Sequence, residues 1–400
     1  MLTPTQAEQQ LAAQLPAAVG DARRILLIVP DATRTAPVAM LAPRIVNLLR
    51  GAGRQVNVIV ALGTHQPMPR PALLAHLGLT EAAAAGSQLW NHQWDDPAQL
   101  ATVGEIPASR IAELTGGLMS ETIPLTINRH VLDHDRLLIL GPVFPHEVAG
   151  FSGGAKYLFP GISGPEIVDF THWLAAVITN MKIIGRADNP VRAILDEGVA
   201  QIPTPVSAVS LVMDHGELAH MAIGPLAESW RSAVAESARR NVRRTGRAYQ
   251  RVLSCAPAMY EDLWTGGKCM YKLESIVADG GELIIYAPHV TDTSVTHGRV
   301  IERIGYHVRD YFLRHWDQFD GVPRTVMAYC ALVKGAGAYD NGVETPRIRV
   351  AFASGISRAA CERLNIGYVD PATIRVEEWE NRQNEGVFCV RKSGEVLYLP

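Results

Sequence analysis

Near the start of the chain, Arg24-Ile25-Leu26-Leu27-Ile28-Val29 forms an unbroken β-branched and leucine run that stops at Pro30-Asp31. A strand with one wet face alternates polar and apolar residues. A continuous apolar run of this length belongs to a strand covered on both faces, as in a parallel sheet. Residues 38–50 then show helical spacing and stop at Gly51-Ala52-Gly53. Residues 56–61 are a second strand-length run, ending at Leu62-Gly63-Thr64-His65. Residues 137–141 are another, ending shortly before His146. Strand, helix, strand order predicts an α/β fold with parallel-type sheets covered by helices.

The remaining pattern predicts two such domains, 1–243 and 244–400, with the last strand able to pack back on the first domain. Pro190 follows Asp188-Asn189 and should open a helix whose apolar face is Val191, Ile194, Leu195 and Val199. Residues 206–213 and 218–223 read as a hairpin around Asp214-His215-Gly216-Glu217, and a helix is expected from 225 to about 241. In the second domain, strands are expected at 251–256, 282–287, 325–332 and 348–352. Helices are expected at 260–278, ended by Asp279-Gly280-Gly281, and at 357–364, and a short hairpin at 386–399.

Composition excludes several functions. Net charge is −3, so no basic field recruits nucleic acid. Arg239, Arg240, Arg243, Arg244 and Arg247 cluster at helical spacing beside Glu236, as on a solvated helix end. Five scattered cysteines with no C-x-x-C suggest neither a disulfide framework nor a zinc site, and fit reduced thiols in the cytoplasm. The N-terminus lacks the basic start and apolar core of a signal peptide, and no apolar run is long enough to span a membrane.

Ligands of open α/β sheets bind at the carboxyl ends of strands. Asp31-Ala32-Thr33-Arg34, His65 and His146 all follow strand ends. Asp31 and Arg34 suit a carboxylate and an anion-gripping guanidinium, or equally a helix cap and a surface arginine. His146 opens the segment Gly141–Trp173, GPVFPHEVAGFSGGAKYLFPGISGPEIVDFTHW, which has little helix or strand pattern. Its Ser152-Gly153-Gly154-Ala155-Lys156 stretch is a glycine loop through which backbone N–H groups can approach a ligand, with one amine at its end. It lacks the full phosphate-loop pattern, and no G-x-G-x-x-G follows the first strand. His146 and His172 have the wrong spacing for a helical zinc pair and fit acid/base work, or one acid/base group and one ligand. In LWTGGKCMYK, Lys268 follows Trp264 by one helical turn. Taken alone, that pattern is a solvated lysine and a core tryptophan.

Together, DATRTAP, GTHQP, PHEVAGFSGGAKYLFPG and the following TH, with ADNPVR and the lysine-bearing segment near 268, resemble the nickel-dependent lactate racemase family, the LarA-like 2-hydroxyacid racemases and epimerases. The resemblance implies an active site in the interdomain cleft. It implies a nickel-pincer nucleotide, the pyridinium-3-thioamide-5-thiocarboxylic acid mononucleotide with nickel, covalent on Lys156. Asp31, Thr33, Arg34, Ser152, Gly153 and Gly154 would help bind it, and His172 would complete the nickel coordination. His65 and His146 would be the acid/base pair. Arg34, Trp264, Thr265 and Lys268 would meet the substrate, and separate biosynthetic proteins would supply the cofactor. The type lactate racemases carry tyrosine and glutamine where Trp264 and Thr265 stand, so a 2-hydroxyacid other than lactate is open.

Chemistry agrees with that expectation. The Cα–H of a 2-hydroxycarboxylate is poorly acidic. Removing hydride while a base takes the hydroxyl proton avoids a carbanion and yields a planar 2-oxo acid, open to hydride on either face. Protein side chains supply no hydride acceptor, so a cofactor is needed, with a base on each side and a cation for the carboxylate. Two other readings stay open: a metal-assisted hydrolase using His65 and His146, and a nucleotide- or cofactor-binding protein without turnover.

Overall fold

The run that opens the pattern is the strand Arg24–Pro30, buried from Ile25 onward. The computed structural model describes residues Met1–Pro400, which divide into two compact units. The first comprises Met1–Phe144, Phe151–Val168 and Ala187–Arg240; the second comprises Pro145–Gly150, Asp169–Arg186 and Asn241–Pro400.

In the first unit a six-stranded sheet runs in the order Glu217–Pro225, Val206–Asp214, Arg136–Pro142, Arg24–Pro30, Gln55–Ala61, Leu89–Asn91. All neighbours are parallel except the edge hairpin, where Glu217 pairs with Asp214. The central registers place Ile25 beside both Val56 and Arg136. The three strands that precede Asp31, His65 and His146 are therefore consecutive in the sheet. Helix Val38–Gly51 covers the sheet with Leu41, Ile45, Val46 and Leu49. Helix Pro4–Val19 adds Ala7, Leu11, Leu15 and Val19, its start fixed by a Thr3–Gln6 capping box. Fully burying each such leucine or isoleucine stabilises the fold by about 1.5–3 kcal/mol. A separate antiparallel pair joins Leu100–Ile106 to Ile123–Asn128.

The second unit holds a five-stranded, wholly parallel sheet in the order Gly367–Tyr368, Arg349–Ser354, Val277–Ala287, Tyr249–Cys255, Val387–Val390. The two-sheet α/β expectation is met, and three local expectations are not. Residues 325–332 form the helix Arg324–Lys334 rather than a strand. Thr325 through Val333 are buried all round, so the run carries no period from which to read its type. Residues 260–278 form no single helix. Two four-residue turns, Leu263–Gly266 and Lys268–Tyr271, are followed by a 3-10 turn at Glu274–Ile276, and the strand starts at Val277. Gly266 and Gly267 weaken the helix, and Ile276-Val277 favour extended backbone. The C-terminal residues form no hairpin. Val387–Val390 pairs in parallel with Tyr249–Cys255, and Leu397–Leu399 pairs with Val242–Arg244.

No helix is long and apolar enough to cross a membrane. All five cysteines are free thiols.

Candidate active site

In the first unit, Asp31 organises the loop after its strand. One carboxylate oxygen accepts from the Thr33 N–H at 3.1 Å and from the Thr33 hydroxyl at 2.8 Å. The other accepts from His65 Nδ1. His65 sits in the turn after the neighbouring strand, where its N–H bonds the Leu62 carbonyl at 3.0 Å. Its ring is about a quarter exposed, against 8% for the Asp31 side chain. Because the carboxylate can only accept, Nδ1 of His65 carries a proton, and in the neutral ring Nε2 presents a lone pair. The Arg34 guanidinium lies 5.5 Å from the Phe144 ring centroid. Tyr157 feels both Arg34 and Asp31, but burial dominates and pushes its hydroxyl far above the usual phenol range.

The glycine loop is built for close approach. Ser152 Oγ donates to the Pro142 carbonyl at 2.9 Å and accepts from the Phe144 N–H at 3.0 Å. Gly153 and Gly154 have φ of +74° and +60°. A Cβ on Gly153 would meet Val143 at 2.6 Å, and one on Gly154 would meet Trp230 at 2.8 Å, so no side chain fits at either position. Trp230 Nε1 donates to the Ser152 carbonyl at 2.8 Å. The buried Arg192 guanidinium donates to the carbonyls of Phe151 and Gly153 and lies 4.2 Å from the Trp230 ring centroid. Burial lowers its pKa to about 10. Lys156 closes this loop inside the 3-10 turn Gly154–Tyr157 and is half-buried.

In the second unit, His146 is 3% exposed. Its Nδ1 accepts from the Val148 N–H at 3.1 Å, and its Nε2 lies 3.6 Å from Glu147 Oε1. His172 stands half-buried on the helix Pro165–Ile178. One turn before it, the Asp169 carboxylate accepts from the Thr325 N–H at 3.0 Å and from the Thr325 hydroxyl, capping helix Arg324–Lys334. Lys268 is 6% exposed, its Nζ 4.8 Å from the Tyr260 ring centroid. Trp264 packs on His297 at 4.6 Å and Tyr329 at 4.4 Å between ring centroids. Gly267 keeps right-handed helical geometry, so Trp264 and Lys268 remain one turn apart. The Thr265 hydroxyl is engaged by its own helix cap, 2.9 Å from Asp262 Oδ1.

The first unit thus gathers Asp31, Thr33 and His65 into one hydrogen-bonded group, with Arg34 beside it. Trp230, Arg192, Asp169, Glu147 and Lys272 escaped the sequence reading. Arg192 closes the ADNPVR motif, and Glu147 follows His146 directly. No group of three or more His, Cys, Asp or Glu side chains is arranged to hold a metal ion.

These features define an α/β protein with histidines after adjacent parallel strands and a glycine loop ending in lysine. The family model described as the lactate racemase N-terminal domain matches residues 8–183. Lactate racemase from Thermoanaerobacterium thermosaccharolyticum is 27% identical over 152 residues, 38% of this chain and 32% of that protein. Lactate racemase from Lactiplantibacillus plantarum is 27% identical over 150 residues, 37% of this chain and 32% of that protein. These alignments span about a third of the curated relatives. Among solved structures, a Thermotoga maritima protein superposes with a TM-score of 0.91 at 29% identity, over 99% of this chain and 98% of that one. The lactate racemase apoprotein from T. thermosaccharolyticum shares the fold, with a TM-score of 0.77 at 16% identity over 100% of this chain and 93% of that one. Residues 8–183 of the chain thus match the lactate racemase N-terminal domain, and the whole chain shares the fold of the lactate racemase apoprotein.

Proposed function

We propose that this chain is an isomerase that racemises or epimerises a 2-hydroxyacid through a 2-oxo acid intermediate, in the cytoplasm, after maturation by separate biosynthetic proteins. The observation that carries the reading is the pair of histidines with defined ring-proton positions, each beside a carboxylate. His65 presents an Nε2 lone pair and takes the hydroxyl proton of one enantiomer. His146, as the imidazolium, returns a proton to the opposite face; for the other enantiomer the roles exchange. Arg34 and Lys268 supply cations for the substrate carboxylate.

The residues fit a nickel-pincer nucleotide. The Gly153-Gly154 cradle leaves backbone accessible where a Cβ would block it, Lys156 offers an amine for covalent attachment, and Asp31, Thr33, Arg34 and Ser152 add polar groups. His172 would be the protein ligand of a nickel ion whose other donors come from the organic group. When bound, such a group supplies the hydride acceptor that side chains lack. The hydrolytic reading needs a carboxylate to join His65 and His146 around an ion, and it leaves the glycine loop and Lys156 without a role.

The test is a panel of single-enantiomer 2-hydroxyacids given to cofactor-loaded protein, read by chiral chromatography. Appearance of the opposite enantiomer or epimer, without net oxidation, is expected. Loaded protein that converts no member of a panel of aliphatic, aromatic, dicarboxylic and sugar acids would overturn the reading.

A further inference from the structure

The most deeply buried lysine in the second unit has no role in the chemistry above. Lys272 is 1% exposed. Its Nζ donates to the Pro145 carbonyl at 2.6 Å and lies 3.5 Å from Glu147 Oε2. The other oxygen of Glu147 is the one 3.6 Å from His146 Nε2. An ammonium removed from water is costly unless partners replace its hydration. Here the partners are the residues on either side of His146. Lys272 thus holds the His146 loop from both flanks, and it links a cation, an anion and an imidazole in one row.

We infer that the Glu147–Lys272 pair positions His146 and biases its ring between imidazole and imidazolium. The catalytic consequence rests on the proposed function; the electrostatic coupling does not. A carboxylate 3.6 Å from Nε2 favours the imidazolium, and an ammonium behind that carboxylate opposes it. Within this unit Tyr271 also senses Glu147. Burial, the largest cause, pushes its hydroxyl well above the phenol range, so it stays neutral. The loop contacts divide the ring's labour. The Val148 N–H fixes Nδ1 as the acceptor of the neutral ring, so Nε2 carries the proton on the side of Glu147.

The experiment is a ¹⁵N-histidine NMR titration of the full-length chain as purified, with the His146 signal assigned by its loss in His146→Gln. Glu147→Gln should lower the titration midpoint of His146 and Lys272→Met should raise it, each by about one pH unit. Glu147→Gln leaves a buried ammonium without its counter-charge. If that variant does not fold, Lys272→Met is compared with the double variant Glu147→Gln/Lys272→Met, in which both charges are gone. The double variant should then titrate below Lys272→Met. Midpoints that stay within about 0.2 units, or that move the same way in both single variants, would overturn the inference. In loaded protein the acid limb of the kcat/KM profile should follow the NMR midpoints. If the midpoints move as expected and the profile does not, the coupling stands and the assignment of His146 as a base falls.

Discussion

His65 and His146 carry their neutral ring protons on opposite nitrogens. His65 donates from Nδ1 to Asp31, and His146 accepts at Nδ1 from the Val148 N–H. One ring therefore offers a lone pair at Nε2 and the other a proton. A two-base racemase starts each turnover with one ring neutral and the other protonated, so the two loops prepare the rings differently for those roles. The difference is set by what each loop provides, a carboxylate in one case and a backbone donor in the other, rather than by the histidines themselves.

Asp31→Asn should therefore reduce kcat/KM strongly while leaving the fold intact. The amide oxygen can still accept from Thr33, but the charge that holds the His65 tautomer and supports its imidazolium is lost. A fall of about 10²–10⁴-fold is expected, with both directions of the reaction affected. Near wild-type rates with unchanged thermal stability would show that His65 needs no orienting carboxylate.

Lys156→Ala should abolish retention of the organic cofactor, and His172→Ala should lower nickel content while the organic part stays attached. Intact mass and metal analysis of protein matured alongside its biosynthetic partners separate the two effects. Full nickel occupancy in both variants would sink the assignment of these residues.

His92 gives the fold a defined acid sensitivity. It is buried, its Nε2 donates to the Ser163 carbonyl at 2.9 Å, and desolvation lowers its pKa from 6.5 to about 4. The unfolded chain binds a proton near pH 6.5 and the native ring does not, so stability is full above that pH and is lost as pH falls toward 4. The loss is on the order of 3 kcal/mol. Urea midpoints at pH 7 and pH 4.5 should differ less in His92→Gln than in the parent chain. An equal difference in both would place the acid sensitivity elsewhere.

Trp264 should govern substrate choice. It packs on His297 and Tyr329 one turn before Lys268. Trp264→Tyr should re-rank substrates by roughly 10–200-fold in kcat/KM across a panel running from lactate to longer aliphatic, aromatic and dicarboxylic 2-hydroxyacids. A uniform loss with a lowered Tm would mean that the indole is only core packing.

Features carried by local pattern were readable before any coordinates. Unbroken apolar runs marked the strands at Arg24–Pro30 and Gln55–Ala61, and the polar residues behind them, Asp31 and His65, marked their carboxyl ends. Burial on every side hid the helix Arg324–Lys334, because an apolar run without period fits either element. Distance hid Lys272. It stands in the same LWTGGKCMYK segment as Lys268, yet its partners lie 127 and 125 residues away along the chain. Arg192 was visible only as the end of a motif, and its grip on the glycine loop spans 39 and 41 residues.

The interleaving of the two units along the chain has a consequence for synthesis on the ribosome. The first unit is not complete until Arg240 has emerged, and Pro145–Gly150 and Asp169–Arg186 emerge earlier although they belong with the second. The segments bearing His146 and His172 must therefore wait for strands and helices made later. Lys272, which braces the His146 loop, is among the residues for which they wait. A nascent chain halted after Arg240 would display both histidine segments to solvent and to chaperones. The full set of chemistry-bearing residues can then form only once Asn241–Pro400 has been made.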